Sequence, residues 1–354
     1  MHPPLWRHFL VHEHEIYMKI ALSLAEKGMG WTEPNPMVGA VIVKKGRIIS
    51  YGYHEKFGSP HAEAIAIEKA GKDAKGATLY VNLEPCCHFG KTPPCCLKIW
   101  EAGIKRVVAS IGDPNPLVNG KGFSFLREKG IEVITGVLKE EAEDLNRHFL
   151  WFYKKRLPWI TGKMAMTLDG ATVWGERWIS SEGARHFAHF LRATHMGIMV
   201  GINTVLEDNP LLNVRHPYFR NKKLVKVVLD SKLKININAN IFRTGDKVII
   251  FTASNKSIPL NNVHIIKVDK DEKGLNLHRI LEKLYDLGIM SVLVEGGRTL
   301  LGNMLNKGMV NELYIVNSPK IGGSHKLDVL PLNPMRIWTF YKDGELYTRF
   351  LLKR

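Results

Sequence analysis

The 354-residue sequence has only four cysteines, and all of them fall between positions 86 and 96: Cys86, Cys87, Cys95 and Cys96. A disulfide framework spreads its cysteines to staple distant segments, so this clustering argues against one and for a metal or thiol chemistry in a reducing compartment. Long apolar runs are missing too, and residues 1–16 are interrupted by Arg7, His8, His12, Glu13 and His14. No membrane span and no membrane partner is therefore expected, and nothing directs the chain out of the cytoplasm. There is no repeat, low-complexity tract or Pro-rich linker to argue for disorder. Acidic residues are in deficit, 34 against 50 basic ones, for a formal net charge of +16. That sign attracts polyanions, but it equally suits sites for phosphorylated metabolites and a dinucleotide.

What is present is globular: 45% of residues are hydrophobic and 24% charged, and the length exceeds what one core usually serves. Two α/β domains are expected. Residues 17–27 have helical apolar spacing, and MVGAVIVKK, Gly46 and RIISYGY read as a hairpin. Helices from about His61, about Pro94 and in GFSFLREKG then alternate with the strands ATLYVNL, RVVASIG and EVITGV. Residues 139–155 read as one charged helix turning apolar at Phe149, Leu150, Trp151 and Phe152, with Pro158 beyond it. The domains are accordingly expected to span 1–146 and 147–354. In the second, PWITGKMAMTLDG opens a new alternation that closes on a strand pair around WTFYKDGELYTRFLLK.

The strongest chemical signal is His61-Ala62-Glu63 at the start of one predicted helix, with Pro85-Cys86 and Pro94-Cys95 following. One His and two Cys leave a fourth tetrahedral zinc position for water, as a catalytic site requires. Glu63 is two residues from His61, near enough to carry protons between that acidified water and a leaving amino group. The usual zinc-deaminase pair is Cys-x-x-Cys, whereas eight residues separate Cys86 from Cys95 here. Cys87 and Cys96 have the same interval, so spacing alone cannot choose between the pairs.

Pro60 to Glu63 and Glu84 to Cys95 resemble the bifunctional deaminase/reductase family of riboflavin biosynthesis, with Cys87 where that family usually has Ser. Pro34-Asn35-Pro36-Met37-Val38-Gly39 and Gly52-Tyr53-His54-Glu55-Lys56-Phe57-Gly58 extend the resemblance over nearly the whole first domain. It implies a cytidine-deaminase-like α/β/α domain in which His61, Cys86 and Cys95 hold zinc and Glu63 is catalytic. Cys95 at a helix N-terminus suits a thiolate. The resemblance also implies that Asn35, His54, His88 and Lys91 hold the pyrimidine and phosphate of the substrate. Taken singly, Asn35 suits a turn between prolines, His54 a surface site and Lys91 a solvated loop.

The second domain has no Gly-x-Gly-x-x-Gly after its first strand. Its anion candidate is VLVE running into Gly296-Gly297-Arg298-Thr299 and a helix, a pattern that a simple tight turn shares. The domain resembles the reductase of the same family, dihydrofolate-reductase-like in fold, through Lys163-x-Ala165-x-Thr167-Leu168-Asp169-Gly170, Trp178-Ile179-Ser180, Leu191-Arg192-Ala193, residues 204–215, Asp230-Ser231 and Glu295-Gly296-Gly297. This implies that Arg192, Leu212, Arg215 and Glu295 face the substrate. Lys163, Ala165, Met166, Trp178, Thr204, Asp208, Ser231, Gly296, Gly297, Arg298, Thr299 and Leu300 would face NADPH, with Lys163 or a water supplying a proton. Relatives usually carry Gly-Glu-Ser-x-Trp-Ile, and Gly175-Glu176-Arg177-Trp178-Ile179 is one residue shorter and lacks the Ser.

The resemblance implies zinc-dependent hydrolytic deamination of 2,5-diamino-6-(5-phosphoribosylamino)pyrimidin-4-one, then NADPH reduction of the ribosyl to a ribityl chain. A degenerate reductase, a nucleic-acid base deaminase and a noncatalytic zinc module for nucleic acid are the alternatives. The second domain argues against the base deaminase, and Glu63 against the noncatalytic module. No nucleic-acid partner is expected, and a homo-oligomer is compatible with the sequence.

Overall fold

The computed structural model describes residues 6–87, 93–175, 179–272, 274–295 and 297–352, with backbone alone for 6–12. The chain divides into two compact units, Met1–Lys155 and Arg156–Arg354.

In the first unit, strands β1 (Gly39–Lys44), β2 (Arg47–Tyr53), β3 (Thr78–Leu83), β4 (Arg106–Ile111) and β5 (Glu132–Thr135) form one sheet in the order β2-β1-β3-β4-β5. β1 is antiparallel to β2 and β3, while β3, β4 and β5 run parallel. Parallel neighbours need crossovers, which the helices Cys95–Glu101 and Lys121–Glu128 supply. Two glycines let helices close on the sheet: a Cβ on Gly39 would lie 2.0 Å from the Ala21 carbonyl oxygen, and one on Gly52 would lie 2.5 Å from that of Ala62. Gly39 and Gly52 point to opposite faces, because Ala40 pairs with Gly52. Helices therefore cover both faces, in three layers. Ala40, Ile42, Leu79, Val81, Val107 and Ala109 of the sheet form one continuous core with Ala62, Ala66, Ile99 and Leu126 of the helices.

The single charged helix expected over residues 139–155 is two helices, Lys139–Leu145 and Arg147–Lys155. Asn146 lies between them, and its side chain is spent on Met37: Oδ1 accepts from the Met37 N–H at 2.8 Å and Nδ2 donates to the Met37 carbonyl at 2.9 Å. The second of these helices belongs to the first unit, so the division falls later than the 146/147 boundary expected from sequence.

The second unit contains β6 (Trp159–Thr167), β7 (Ala171–Val173), β8 (Gly197–Gly201), β9 (Val225–Leu229), β10 (Val248–Thr252), β11 (Val263–Lys267), β12 (Lys270–Asp271), β13 (Gly274–Leu275), β14 (Ser291–Glu295), β15 (Glu312–Ser318), β16 (Ser324–Lys326), β17 (Pro334–Lys342) and β18 (Glu345–Leu352). Nine of them form the main sheet, ordered β11-β10-β9-β8-β14-β6-β15-β18-β17. The strands from β11 to β15 in that order are parallel, and the β17/β18 hairpin adds the antiparallel edge. Central strands such as VIIFT of β10 are buried along their whole length, as a parallel sheet covered on both faces requires. Val227, Ile249 and Val292 pack with Leu281, Leu301 and Met304 on one face, while Ile198, Val228 and Ile250 pack with Val205 and Ile241 on the other. No helix among the described residues is long and apolar enough to cross a membrane.

Candidate functional site

In the first unit the chemistry gathers beyond the C-terminal end of β3. His61 caps the helix Ala62–Ala70, Cys95 opens the helix Cys95–Glu101, and Cys86 follows β3 after Glu84 and Pro85. His61 Nδ1 lies 3.3 Å from Cys95 Sγ and 3.5 Å from Cys86 Sγ, and the Cys95 backbone N–H donates to Cys86 Sγ at 3.4 Å. The three potential ligand atoms all lie within 4.8 Å of one another. One imidazole nitrogen and two thiol sulfurs converging at that spacing fit zinc, with one tetrahedral position to spare. Their protonation is mutual: hydrogen bonding between the two sulfurs draws the Cys86 thiol below its usual range and raises that of Cys95, and the hydrogen bond to Cys86 raises the His61 imidazole. Cys87 and Cys96 take no part. Cys87 Sγ reaches toward the Leu117 carbonyl at 4.0 Å, and Cys96 is buried in the core.

Glu63 is in the first turn of the helix that His61 caps, 3% exposed, and burial raises its carboxyl above the ordinary range. A carboxyl so placed holds a proton more readily than an exposed one, as a proton carrier requires. Glu84, a residue that sequence reasoning missed, lies two positions before Cys86 and ties that segment to residues 113–123. Buried Glu84 accepts four backbone N–H bonds, from Asp113 (3.1 Å) and Gly120 (3.0 Å) at Oε2 and from Gly122 (3.0 Å) and Phe123 (3.2 Å) at Oε1.

Asn35 and His54 are in contact, Asn35 Nδ2 to His54 Nε2 at 3.1 Å, while His54 Nδ1 meets the Pro60 carbonyl at 3.1 Å. His54 is only 2% exposed and both ring nitrogens are engaged, so it is not the surface histidine that its sequence context also allowed. His88 and Lys91 lie outside the described residues.

In the second unit the expected substrate group assembles from distant segments. Arg192, in the last turn of the helix Glu182–Ala193, donates from Nε to Glu295 Oε2 at 2.6 Å and from Nη1 to the Asn213 carbonyl at 3.1 Å. Burial would raise the Glu295 carboxyl, but the Arg192 guanidinium outweighs it and holds the pKa below the ordinary range. Lys163 pairs with Glu295 in the β6/β14 register, and burial lowers its amine. Expected among the cofactor residues, it is set by this register beside Glu295. The Arg215 Nη1 donates to Asn213 Oδ1 at 3.3 Å. Leu212 has a left-handed backbone (φ 47°) and its side chain is buried in the core containing Val205 and Leu224.

A cavity of about 400 Å³ opens at the C-terminal ends of β8, β9 and β14, and Thr204, Ser231, Gly297, Thr299 and Leu300 line it. This is where parallel sheets place ligands, with the helix Arg298–Asn306 presenting its N-terminal amides. Gly297 has a φ of 69°, which a side chain would strain. The set suits the pyrophosphate and ribose of a dinucleotide. Ala165, Met166, Asp208 and Arg298 are not in its lining; Asp208 and Arg298 point to solvent. Trp178 and Gly296 lie outside the described residues, as does part of the shortened Gly175-to-Ile179 segment. Gly201 and Asn203 also line the cavity, and Gly-x-Asn-Thr between a strand and a helix was the signal that could have found them.

Comparison with known proteins bears on both units. Residues 11–111 match the family model for the cytidine and deoxycytidylate deaminase zinc-binding region, and residues 158–336 match that for the RibD C-terminal domain. The chain is 46% identical over 315 residues to riboflavin biosynthesis protein RibD of Aquifex aeolicus, covering 87% of each chain. It is 39% identical to the protein of that name from Escherichia coli, covering 88% of this chain and 89% of that one. Among solved structures, a diaminohydroxyphosphoribosylaminopyrimidine deaminase/5-amino-6-(5-phosphoribosylamino)uracil reductase from Thermotoga maritima is 38% identical, superposes with a TM-score of 0.86 and is matched over 97% of this chain and 99% of its own.

Proposed function

The chain belongs to the bifunctional deaminase/reductase family of riboflavin biosynthesis, and on that premise we propose that its two units act in turn on one phosphoribosylated pyrimidine. It is a zinc-dependent deaminase and an NADPH-dependent reductase. The first unit removes the amino group of the diaminopyrimidine as ammonia, and the second reduces the ribosyl of the product to a ribityl chain.

When bound, zinc acidifies a water that serves as the nucleophile. His61, Cys86 and Cys95 hold the metal. Glu63 takes a proton from the water and returns it to the departing nitrogen, which a buried carboxyl of raised pKa suits. Asn35 reads the pyrimidine edge, with its amide orientation set by His54. His88 and Lys91 meet the phosphate, a role that rests on the resemblance alone. In the second unit Thr204, Ser231, Gly297, Thr299 and Leu300 would hold NADPH, which when bound would supply the hydride that C1′ accepts once the C1′–O4′ bond has opened to give an imine. Arg192 and Arg215 hold the phosphorylated sugar, and Glu295 keeps Arg192 aligned. Lys163 or a water supplies the proton that the released O4′ takes up, and the lowered Lys163 pKa suits that transfer. Two phosphate-bearing ligands account for the basic balance of the chain without nucleic acid or membrane, and we place the enzyme in the cytoplasm.

The observation that carries this reading is the convergence of His61, Cys86 and Cys95 within 4.8 Å beside buried Glu63. Incubating the full chain with the diaminopyrimidine phosphate tests it. Ammonia should appear without NADPH, and NADPH should be consumed only once ammonia has been released. No ammonia from a zinc-replete sample would overturn the deaminase assignment, and ammonia without any NADPH oxidation would overturn the reductase.

A further inference from the structure

His189 is one helical turn before Arg192 on the helix Glu182–Ala193 and is only 7% exposed. Its Nδ1 accepts the backbone N–H of Arg215 at 3.1 Å. Because a backbone N–H can only donate, Nδ1 is unprotonated and the ring carries its proton on Nε2. Residues three apart share a helix face, and here both reach the same segment: His189 binds the backbone of Arg215, and Arg192 binds the carbonyl of Asn213 at 3.1 Å. The segment they hold includes Leu212, whose left-handed backbone would relax without such restraints. The far end of the helix is anchored as well. Ser181 caps it by accepting from Ala184 N at 3.2 Å, and the Ser181 N–H donates to buried Glu345 at 2.8 Å. The helix is thus a fixed bar from which residues 212–215 are hung.

We propose that His189 is a positioning residue of the reductase, holding residues 212–215 so that Arg215 is presented to the phosphorylated sugar alongside Arg192. This rests on the reductase reading above. A protonated ring would lose the bond, and burial, with the Arg192 and Arg215 guanidiniums, lowers the His189 pKa to about 4, which keeps the acceptor available at neutral pH. The sequence hides this role, because one histidine on an amphipathic helix carries no sign of what its nitrogen meets.

Two substitutions in the full chain separate positioning from folding. His189→Leu fills the volume without an acceptor, and His189→Asn places an amide oxygen near the Nδ1 position. Hydrogen–deuterium exchange of peptides covering residues 212–216 reads the restraint directly and does not depend on any activity. With His189→Leu we expect exchange there, and KM for 5-amino-6-(5-phosphoribosylamino)uracil, each to rise about tenfold. KM for NADPH and ammonia release by the first unit should stay within about twofold. His189→Asn should recover most of both losses. Unchanged exchange in His189→Leu would overturn the proposed restraint. Faster exchange with an unchanged sugar-substrate KM would overturn the link to substrate while leaving the reductase reading intact. An unaltered chain that never oxidises NADPH would remove that reading, and this inference with it.

Discussion

Asn35 Nδ2 donates to His54 Nε2 across 3.1 Å, and the opposite nitrogen of the same ring is tied to the Pro60 carbonyl, immediately before His61. One buried imidazole thus links the residue expected to read the base to the backbone that leads into the metal ligands. Since Nδ1 meets a carbonyl, it carries the proton, and Nε2 is left as the acceptor for Asn35. Burial lowers the His54 pKa, which favours that neutral form. We expect His54→Leu to bind zinc normally while kcat/KM for deamination falls about tenfold, and His54→Gln to recover part of the loss through its amide oxygen. Ammonia release with metal analysis checks this. Unaltered kinetics in His54→Leu would mean that Asn35 needs no such support.

The two candidate cysteine pairs differ in where their sulfurs point. Purified protein should carry about one zinc per chain, lost from Cys86→Ala and Cys95→Ala and kept by Cys87→Ser. Elemental analysis after gel filtration reads this. Zinc kept by Cys86→Ala and lost by Cys87→Ser would reverse the choice of ligands.

Metal binding and proton transfer should come apart at Glu63. Glu63→Gln preserves shape but cannot carry a proton, so zinc should remain and deamination fall by roughly 10²–10⁴. Reduction of already deaminated substrate should be untouched. Arg192→Ala should do the opposite, because it strips half-buried Glu295 of its partner at 2.6 Å and removes a sugar clamp. There we expect reduction to fall roughly 100-fold with normal ammonia release. Loss of both activities in either variant would contradict two separate sites.

Asp113 offers a pH test of stability. Burial pushes its carboxyl up to about 7 from 3.8. Between those values the native chain keeps a proton that the unfolded chain has released, so this group destabilises the fold progressively as pH rises through the window. Asp113→Asn retains the oxygen that accepts from Asn115 N at 2.8 Å and has no charge to bury. Its melting temperature should exceed that of the unaltered chain by roughly 2–4 °C at about pH 8, with the gap closing toward pH 4. A gap that does not change with pH would rule this origin out.

Much of the architecture was legible because strand and helix signals are local: the short apolar runs in ATLYVNL, RVVASIG and SVLVEGG correspond to β3, β4 and β14, which are buried along nearly their whole length. The charged stretch 139–155 was misread as one helix because its break depends on Asn146 bonding to Met37, more than a hundred positions away. Taken singly, His54 could equally have been a surface residue for a similar reason, since burial depends on what other segments cover.

By itself, the sequence determined the chemical inventory: His-x-Glu, two Pro-Cys helix starts, and a Gly-Gly turn after a buried strand. Only the tertiary structure decided which of those groups meet. Cys86 and Cys95 share their spacing with Cys87 and Cys96, and the fold gathers the first pair at His61 while Cys87 Sγ reaches toward the Leu117 carbonyl and Cys96 is buried in the core. Lys163 joined Glu295 through the pairing of β6 with β14, and Arg192 joined Asn213 through a helix packed against a distant loop. Such contacts are chosen by the burial of whole faces, whose free energy is collective, so no local pattern encodes them singly.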